Sequence, residues 1–388
     1  MGGNKLLNLI GFELQKFFHR KKNIISILIF VGLLIVFILL NSMLEMSVKQ
    51  SKLNSLDSDI ESVQNALKSV QDQVMIYPND QELKDIENSY NKDISLISNI
   101  KQTYIEKEWN TYLHKSIELD RKAIDERNSG KTIGGEDISI PQERIKKNTL
   151  LLNQNISPIE DKVSMEGYNS IKLILNSPMT LILVIVLVIL CSDVVSSEIE
   201  YNTDKLLYTQ PISKTTILLS KIISVTCTVE VLTLGILGTV FVVLGLKNGF
   251  GNPNYPTEFL ASGGITYIPI SKYIVYALLL LLLLIMFICS MAIFISSICK
   301  STSSSISVSI ILCIAPYIII SKGFIANICN MIPFTYTDIS NVLQGNLARG
   351  IENMGVNFNN AIVVMTIYSI MLFSLSFIVF NKGSFMRK

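Results

Sequence analysis

The chain has 388 residues, of which 49% are hydrophobic and only 16% charged, with a mean hydropathy of +0.44. Soluble chains carry about 25% charged residues, so a water-soluble enzyme is excluded. A net charge of +2, with no clustered basic face, leaves no electrostatic footprint for a nucleic-acid partner.

The charges are unevenly placed. Residues 43–177 hold 17 basic and 22 acidic side chains, so a polar block is set inside a very apolar chain. All six cysteines lie outside that block, none has CxxC spacing, and there are two histidines, which argues against a zinc site.

In chain order, an apolar run at 24–40 follows Arg20, Lys21 and Lys22 and approaches the roughly 20 residues that a bilayer-crossing helix needs. A positive region before an apolar run also marks a signal peptide. This run is long for one, and residues 41–45 offer no small-residue cleavage site, so a retained first span is predicted at 24–42. Five further apolar runs lie at 179–195, 217–246, 273–298, 306–320 and 361–380. The expected fold is an all-α polytopic membrane protein of six spans. Its transmembrane domain occupies 178–388 after the polar block.

Lys and Arg beside spans favour the cytoplasm, and loops longer than about 60 residues escape that rule. Lys16, Arg20, Lys21 and Lys22 at one end, and Lys382, Arg387 and Lys388 at the other, place both termini in the cytoplasm of a plasma-membrane protein. Residues 43–177 are then extracytoplasmic. The segment at 196–220 and the turn at 299–305 are cytoplasmic.

Within the polar block, Leu53, Leu56, Ile60, Val63, Leu67, Val70 and Val74 recur at the spacing of a coiled-coil seam. Pro78 interrupts it, and residues 79–82 read as a helix cap with a reciprocal Glu. A second stripe follows at Leu83, Ile86, Tyr90, Ile94, Ile97 and Tyr104. The short connection predicts an antiparallel helical hairpin about 30 Å or more tall. Helix is predicted to continue past Trp109 and Ile117 to Gly130, with a loop at Gly134, Gly135 and Pro141 before a weaker helix at 142–153. The hairpin reads either as a self-packed stalk or as a receptor or docking post. His114 falls on a polar helix surface.

After the second span, Leu206 and Leu207 fall on a short polar helix that Pro211 must end, because the residue before proline disfavours helical geometry. Ser213 is placed to cap a new helix leading into the third span. Such an element transmits a push from a soluble partner into the bilayer; the plainer reading is an interfacial loop.

These residues carry a resemblance. Glu198, Thr203, Leu206, Leu207, Thr209, Pro211, Ile212, Ser213 and Lys214, followed by Lys221, resemble the cytoplasmic signature of type-two ATP-binding-cassette exporter permeases. That signature runs Glu, Gly-Thr, Leu-Leu, Thr-Pro-Ile-Ser-Arg and Gly-Lys. The chain departs from it at Asn202, at the inserted Gln210, at Lys214 and at Ser220. Asparagine, like the usual glycine, tolerates left-handed backbone angles. Residues 1–23, with Leu7, Ile10, Leu14, Phe17 and Phe18 beside Glu13, Lys16 and Arg20, look like the family's cytoplasmic interfacial helix. The six spans and the Pro333 segment also match, and the large insertion between the first two spans is that of a subgroup.

The resemblance implies a non-catalytic permease subunit that binds no cofactor. ATP and Mg would be used by a separate ATP-binding-cassette ATPase subunit, whose cleft receives Glu198, Asn202, Thr203, Leu206, Leu207, Pro211, Ile212, Ser213 and Lys214. The chain itself has no G-x-x-x-x-G-K-[ST] phosphate loop. Two permease chains, identical or different, would pair in the lipid bilayer to form the pathway. Antimicrobial peptides, lipids, drugs and sodium are cargoes in families of this shape. A membrane sensor with a ligand-binding hairpin is the competing class, but its output domain would have to fit within 196–220.

Glu230 stands mid-way along the third span, where a carboxylate costs about 2.5–3.5 kcal/mol on insertion scales. It reads either as a pathway contact for a cation or proton, or as a structural hydrogen bond to the serines at 303–309. Asp193 reads as reaching the cytoplasmic interface. The serine-rich 301–305 stretch reads as a polar turn or a permease–permease seam. Residues 324–331 are expected to dip into the outer leaflet, ended by Pro333.

Overall fold

The computed structural model describes residues 2–129, 137–176, 178–203, 212–261, 264–322 and 325–383 and is 79% helical. Among the described residues, six helices are long and apolar enough to cross a membrane: Lys21–Ile76, Met179–Glu200, Lys214–Asn248, Ile270–Ile298, Thr302–Ile320 and Phe358–Lys382. Each contains one of the apolar runs read from the sequence. The protein is an all-α polytopic membrane protein.

The chain divides into two compact units. The first comprises residues 1–38, 165–253 and 257–388. It opens with α1 (Gly2–His19) and the start of α2 (Lys21–Ile76). Then follow α6 (Gly167–Ile174), α7 (Met179–Cys191), α8 (Ser196–Glu200) and α9 (Lys214–Asn248). After a two-stranded hairpin of β1 (Pro256–Ala261) and β2 (Gly264–Pro269) come α10 (Ile270–Ile298) and α11 (Thr302–Ser321). The second and fourth spans are mostly buried and form the centre, while the other four expose most of their apolar surface. Leu280, Leu281, Leu284, Ile285 and Ile288 of α10 are wholly enclosed, meeting Val184, Leu187 and Val188 of α7 in one core.

The helix starts follow local chemistry. Ser213 sits at φ −68°, ψ 144°, and its Oγ accepts the Thr216 amide at 3.2 Å, capping α9. Ser301 does the same for α11 through the Ser304 amide at 3.3 Å, so the serine run begins as a cap. Ser305 is buried and donates to the Ser192 carbonyl of the second span, while the buried Ser309 hydroxyl has no hydrogen-bond partner among the described residues.

Beyond α11, the residues expected to dip into the outer leaflet belong to a longer packed segment, with Phe324 outside the described residues. Two 3-10 turns (Cys329–Met331 and Pro333–Thr337) lead to α12 (Ile339–Leu343), α13 (Asn346–Gly350) and the last span, α14 (Phe358–Gly383). Tyr336, Ile339, Val342 and Leu343 are fully buried. Ser340 hydrogen-bonds the Tyr273 hydroxyl at 2.8 Å and donates to the Lys172 carbonyl at 2.8 Å, joining α12 to α10 and α6.

The second unit comprises Leu39–Ser164 with Asn254–Pro256. Here the rest of α2 and α3 (Gln81–Glu106) form the expected antiparallel hairpin. Gln71 donates to Glu87 at 3.0 Å and Lys101 pairs with Asp57, contacts symmetric about the turn. Asp80 caps α3 by accepting from the Glu82 amide at 2.9 Å and the Leu83 amide at 3.3 Å. The reciprocal half of the expected cap is not made, because Leu83 occupies the third helical position, where a returning Glu must stand.

Nor does helix continue unbroken past Trp109. Lys107 adopts φ 60°, the Glu108 amide turns back to the Thr103 carbonyl at 2.9 Å, and α4 (Trp109–Asn128) starts afresh. This left-handed stop reverses the chain. The reversal lets Leu96, Ile97 and Ile100 of α3 bury against Tyr112, Leu113 and Ile117 of α4, which a single long helix forbids. Trp109 packs edge-on against Tyr104 and Tyr112 at the corner, and the two tyrosine rings are tilted against each other, all 5.5–6.0 Å apart. A last helix, α5 (Ser139–Asn153), starts earlier than predicted, with Pro141 tolerated in its first turn.

One cation in the first unit is poorly compensated. Lys172 of α6 is 6% exposed, and burial pulls its pKa to about 8, with the Glu258 carboxylate opposing the shift. Below that value both folded and unfolded states hold the proton, and the fold bears the full cost of burying charge. Between it and the ordinary value of about 10.4 the folded state releases the proton first, so stability climbs with pH. Lys172→Met is therefore expected to raise the thermal midpoint in detergent at pH 7 and to flatten the climb above pH 8. An unchanged or lower midpoint contradicts this.

Candidate functional site

α1 carries charge on its inner side. Glu13 (7% exposed) and Phe17 (4%) are buried with Lys16 beside them, whereas Leu7, Phe12 and Phe18 point outward. A helix with ions on its covered face and apolar groups on its open face suits a membrane surface. The helix breaks at Arg20, and the Asn23 amide fixes the corner by donating to the Phe17 carbonyl at 2.9 Å.

At the end of the second span, α7 unwinds over residues 192–195 and restarts as α8. The Ser296 hydroxyl of α10 holds that joint, accepting the Val195 amide at 3.0 Å and the Ser196 amide at 2.9 Å. The kink turns Asp193 and Glu198 inward, to 6% and 4% exposure. Lys221 lies two turns into α9, between Ser220 and Ile222, and is completely enclosed.

These side chains meet in one network. The Lys221 ammonium donates to Glu13 Oε1 at 2.6 Å and also to Glu198. Lys16 donates to Glu198 and lies 3.9 Å from Glu13. Two carboxylates thus balance two ammoniums. Burial, then the nearby Lys221 charge, holds Lys16 below the usual lysine range. Alongside, Arg20 lies 2.9 Å from Asp193 and donates to the Ser197 hydroxyl at 2.7 Å, and Lys22 lies 2.7 Å from Asp193. Two cations from the α1–α2 corner thus cover Asp193.

The remaining signature residues can be placed in turn. Asn202 adopts φ 56°, the left-handed conformation that asparagine tolerates where glycine is usual in the signature. The Thr203 amide closes the turn on the Glu198 carbonyl at 2.9 Å. Ile212 packs beside Val195, Ile217, Leu218 and Phe380, and Lys214 is half-buried. Leu206, Leu207 and Pro211 lie outside the described residues, and with them the expected short helix.

Glu230 is remote from this network. It is half-exposed on α9 beside Cys227, Val231 (69% exposed) and Leu234 (36%), and makes no hydrogen bond or ion pair among the described residues. The predicted bond to the serines at 303–309 is therefore not formed.

The sequence singles out Glu13, Lys16 and Arg20 on the interfacial helix and Glu198 in the signature, but does not reveal that they meet, or that Asp193 pairs with Arg20 and Lys22. It shows Lys221 without showing its partners. The available signal was chemical: a lysine between Leu219-Ser220 and Ile222-Ile223 requires buried carboxylates.

Residues 13–384 match the family model described as ABC-2 family transporter protein. The chain belongs to the ABC-2 transporter family. Comparison with curated proteins and with solved structures gives no match. Family membership makes this a multi-pass permease subunit of an ATP-binding-cassette transporter and implies an ATPase partner. In this ABC-2 permease the buried network draws on α1, α8 and α9, three elements far apart in sequence.

Removing one partner of a buried ion pair leaves an uncompensated charge and costs about 3–5 kcal/mol. Glu198→Gln, which strands part of the Lys16 and Lys221 charge, is expected to lower the thermal midpoint strongly in detergent. Adding Lys221→Met should recover part of that loss, because the remaining Glu13 and Lys16 still balance. Simple additivity of the two losses contradicts a shared network.

Proposed function

We propose that the chain is one of two permease subunits that together line the pathway of an ATP-driven exporter. Both termini and residues 196–220 face the cytoplasm, and residues 43–177 lie on the far side. Residues 202–214 seat in a cleft of the separate ATPase, which consumes ATP and Mg; Glu198, expected to enter that cleft, is instead enclosed against Lys16 and Lys221 of this chain. When the nucleotide-bound ATPases close, the two permease chains are drawn together and access switches from inward to outward. The switch requires the ATPase to bind one state better than the other.

The observation that carries this reading is Lys221, an enclosed ammonium held by Glu13 of α1 and Glu198 of α8. A push received next to Glu198 passes directly into the base of α9, the third span, and into α1 lying against it. Loose loops dissipate such a push, whereas a neutral buried network with short ion pairs does not. Glu230 supports the pathway assignment by its place on the uncovered face of that same helix. A mid-span carboxylate of this kind requires a protein neighbour or water.

The test is co-purification with the ATPase. Replacing Leu206, Leu207 and Pro211 together with Asp is expected to abolish association while leaving the permease folded. Undiminished association would move the docking site elsewhere. Glu230→Gln is expected to alter transport without affecting association; transport unchanged for every cationic cargo tested removes Glu230 from the pathway.

A further inference from the structure

The second unit contains a large groove with no role in the coupling network. It has a volume of about 1850 Å³ and runs between α3 and α4, bordered by α5. Small-molecule pockets occupy about 300–1,000 Å³, so this groove is built for something larger. Its lining runs from Asn110 on α4 to Ser129 just past the end of that helix, about 28 Å at helical rise. A helix is about 10–12 Å wide, so a groove of that length accommodates one of several turns.

The groove has a defined chemistry. Where α3 meets α4 near the corner, apolar side chains face one another and close the gap. Further along, α3 still presents Ile86 and Tyr90, but α4 answers with Arg121, Lys122 and Asp125. The apolar floor of Val63, Ile86, Tyr90 and Ile117 is therefore incompletely covered, with Ile86 36% exposed.

The lining holds six carboxylates against three cations. Lys122 is spent on Asp93 and Glu126, and Lys115 on Glu118. Glu82, Asp85 and Asp125 have no cation within ion-pair distance among the described residues. An apolar floor beneath an acidic rim is complementary to a helix with one apolar and one cationic face.

We infer that the groove between α3 and α4 binds a cationic amphipathic helical peptide, its apolar face on Val63, Ile86 and Tyr90 and its basic face toward Glu82, Asp85 and Asp125. Apolar contact supplies burial, and the acidic rim supplies orientation and discrimination against acidic peptides. The groove lies wholly within the second unit. Its occupancy is independent of ATPase docking and is read without nucleotide.

The experiment uses the full chain in lipid nanodiscs and a fluorescent Lys/Leu amphipathic peptide of about 18 residues, long enough to fill the groove. Anisotropy should report saturable binding that weakens as salt is raised. The combined variant Glu82→Gln, Asp85→Asn, Asp125→Asn should weaken it about tenfold. A Glu/Leu peptide of equal length should bind at least about tenfold less tightly than the Lys/Leu peptide. A photo-crosslinking residue in place of Ile86 should capture the labelled peptide. Equal binding by the combined variant, or by the acidic peptide, overturns the inference. So does crosslinking of position 86 to residues 130–136 or to a second copy of the chain in the presence of peptide.

Discussion

A lysine with no exposed surface, at the base of a membrane helix, is the constraint from which the packing of α1, α8 and α9 in this permease follows. An ammonium stripped of water costs several kcal/mol unless carboxylates replace its hydration. Lys221 meets that demand with two, drawn from distant parts of the chain: Glu13, near the amino terminus, and Glu198, at the end of the second span. Two carboxylates around one ammonium need a further cation, and Lys16, one turn along α1, supplies it. The requirement of neutrality thus places α1 against α8 and α9, with its charged side inward. Ion networks of this kind add less to stability than to specificity of arrangement. In the proposed function this fixed arrangement is what transmits motion.

The neighbouring Asp193 repeats the principle on a smaller scale. Arg20 and Lys22, one at the helix break and the other at the start of α2, straddle its carboxylate and fix the angle between α1 and the first span. The basic residues from which the sequence reading inferred orientation are, in the folded protein, structural counter-ions. Family membership makes the chain a transporter subunit, and in the proposed function the network is the route by which the ATPase partner acts on the third span.

Much of this was legible in the sequence, and the reasons differ by feature. Spans are set by length and apolarity, which a chain displays openly; all six apolar runs fall inside observed helices. Ser213 as a cap and Asn202 in a left-handed turn are local events, decided by a side chain and its own backbone. The break at Lys107 was not visible, because nothing in Glu106-Lys107-Glu108 forbids helix. The stop is imposed by burial of Ile97 and Ile100 against Leu113 and Ile117, a contact between segments. The β-hairpin between α9 and α10 went unread among longer apolar signals. The pairings of Lys221 and Asp193 were hidden for the same reason as the break. The residues could be suspected of needing partners, but identifying them required the fold.

The claim that most needs testing is that α1 and the base of α9 behave as one body because Lys221 holds them together. Spin labels at Phe12 and Leu219, both on exposed positions of those helices, report it through pulsed dipolar distances in the permease–ATPase complex. The account predicts one narrow distance that is unchanged between nucleotide-free and ATP-bound states, and that broadens when Lys221→Met is introduced. A distance that shifts on ATP binding in the wild-type chain, or stays narrow in the variant, would contradict it.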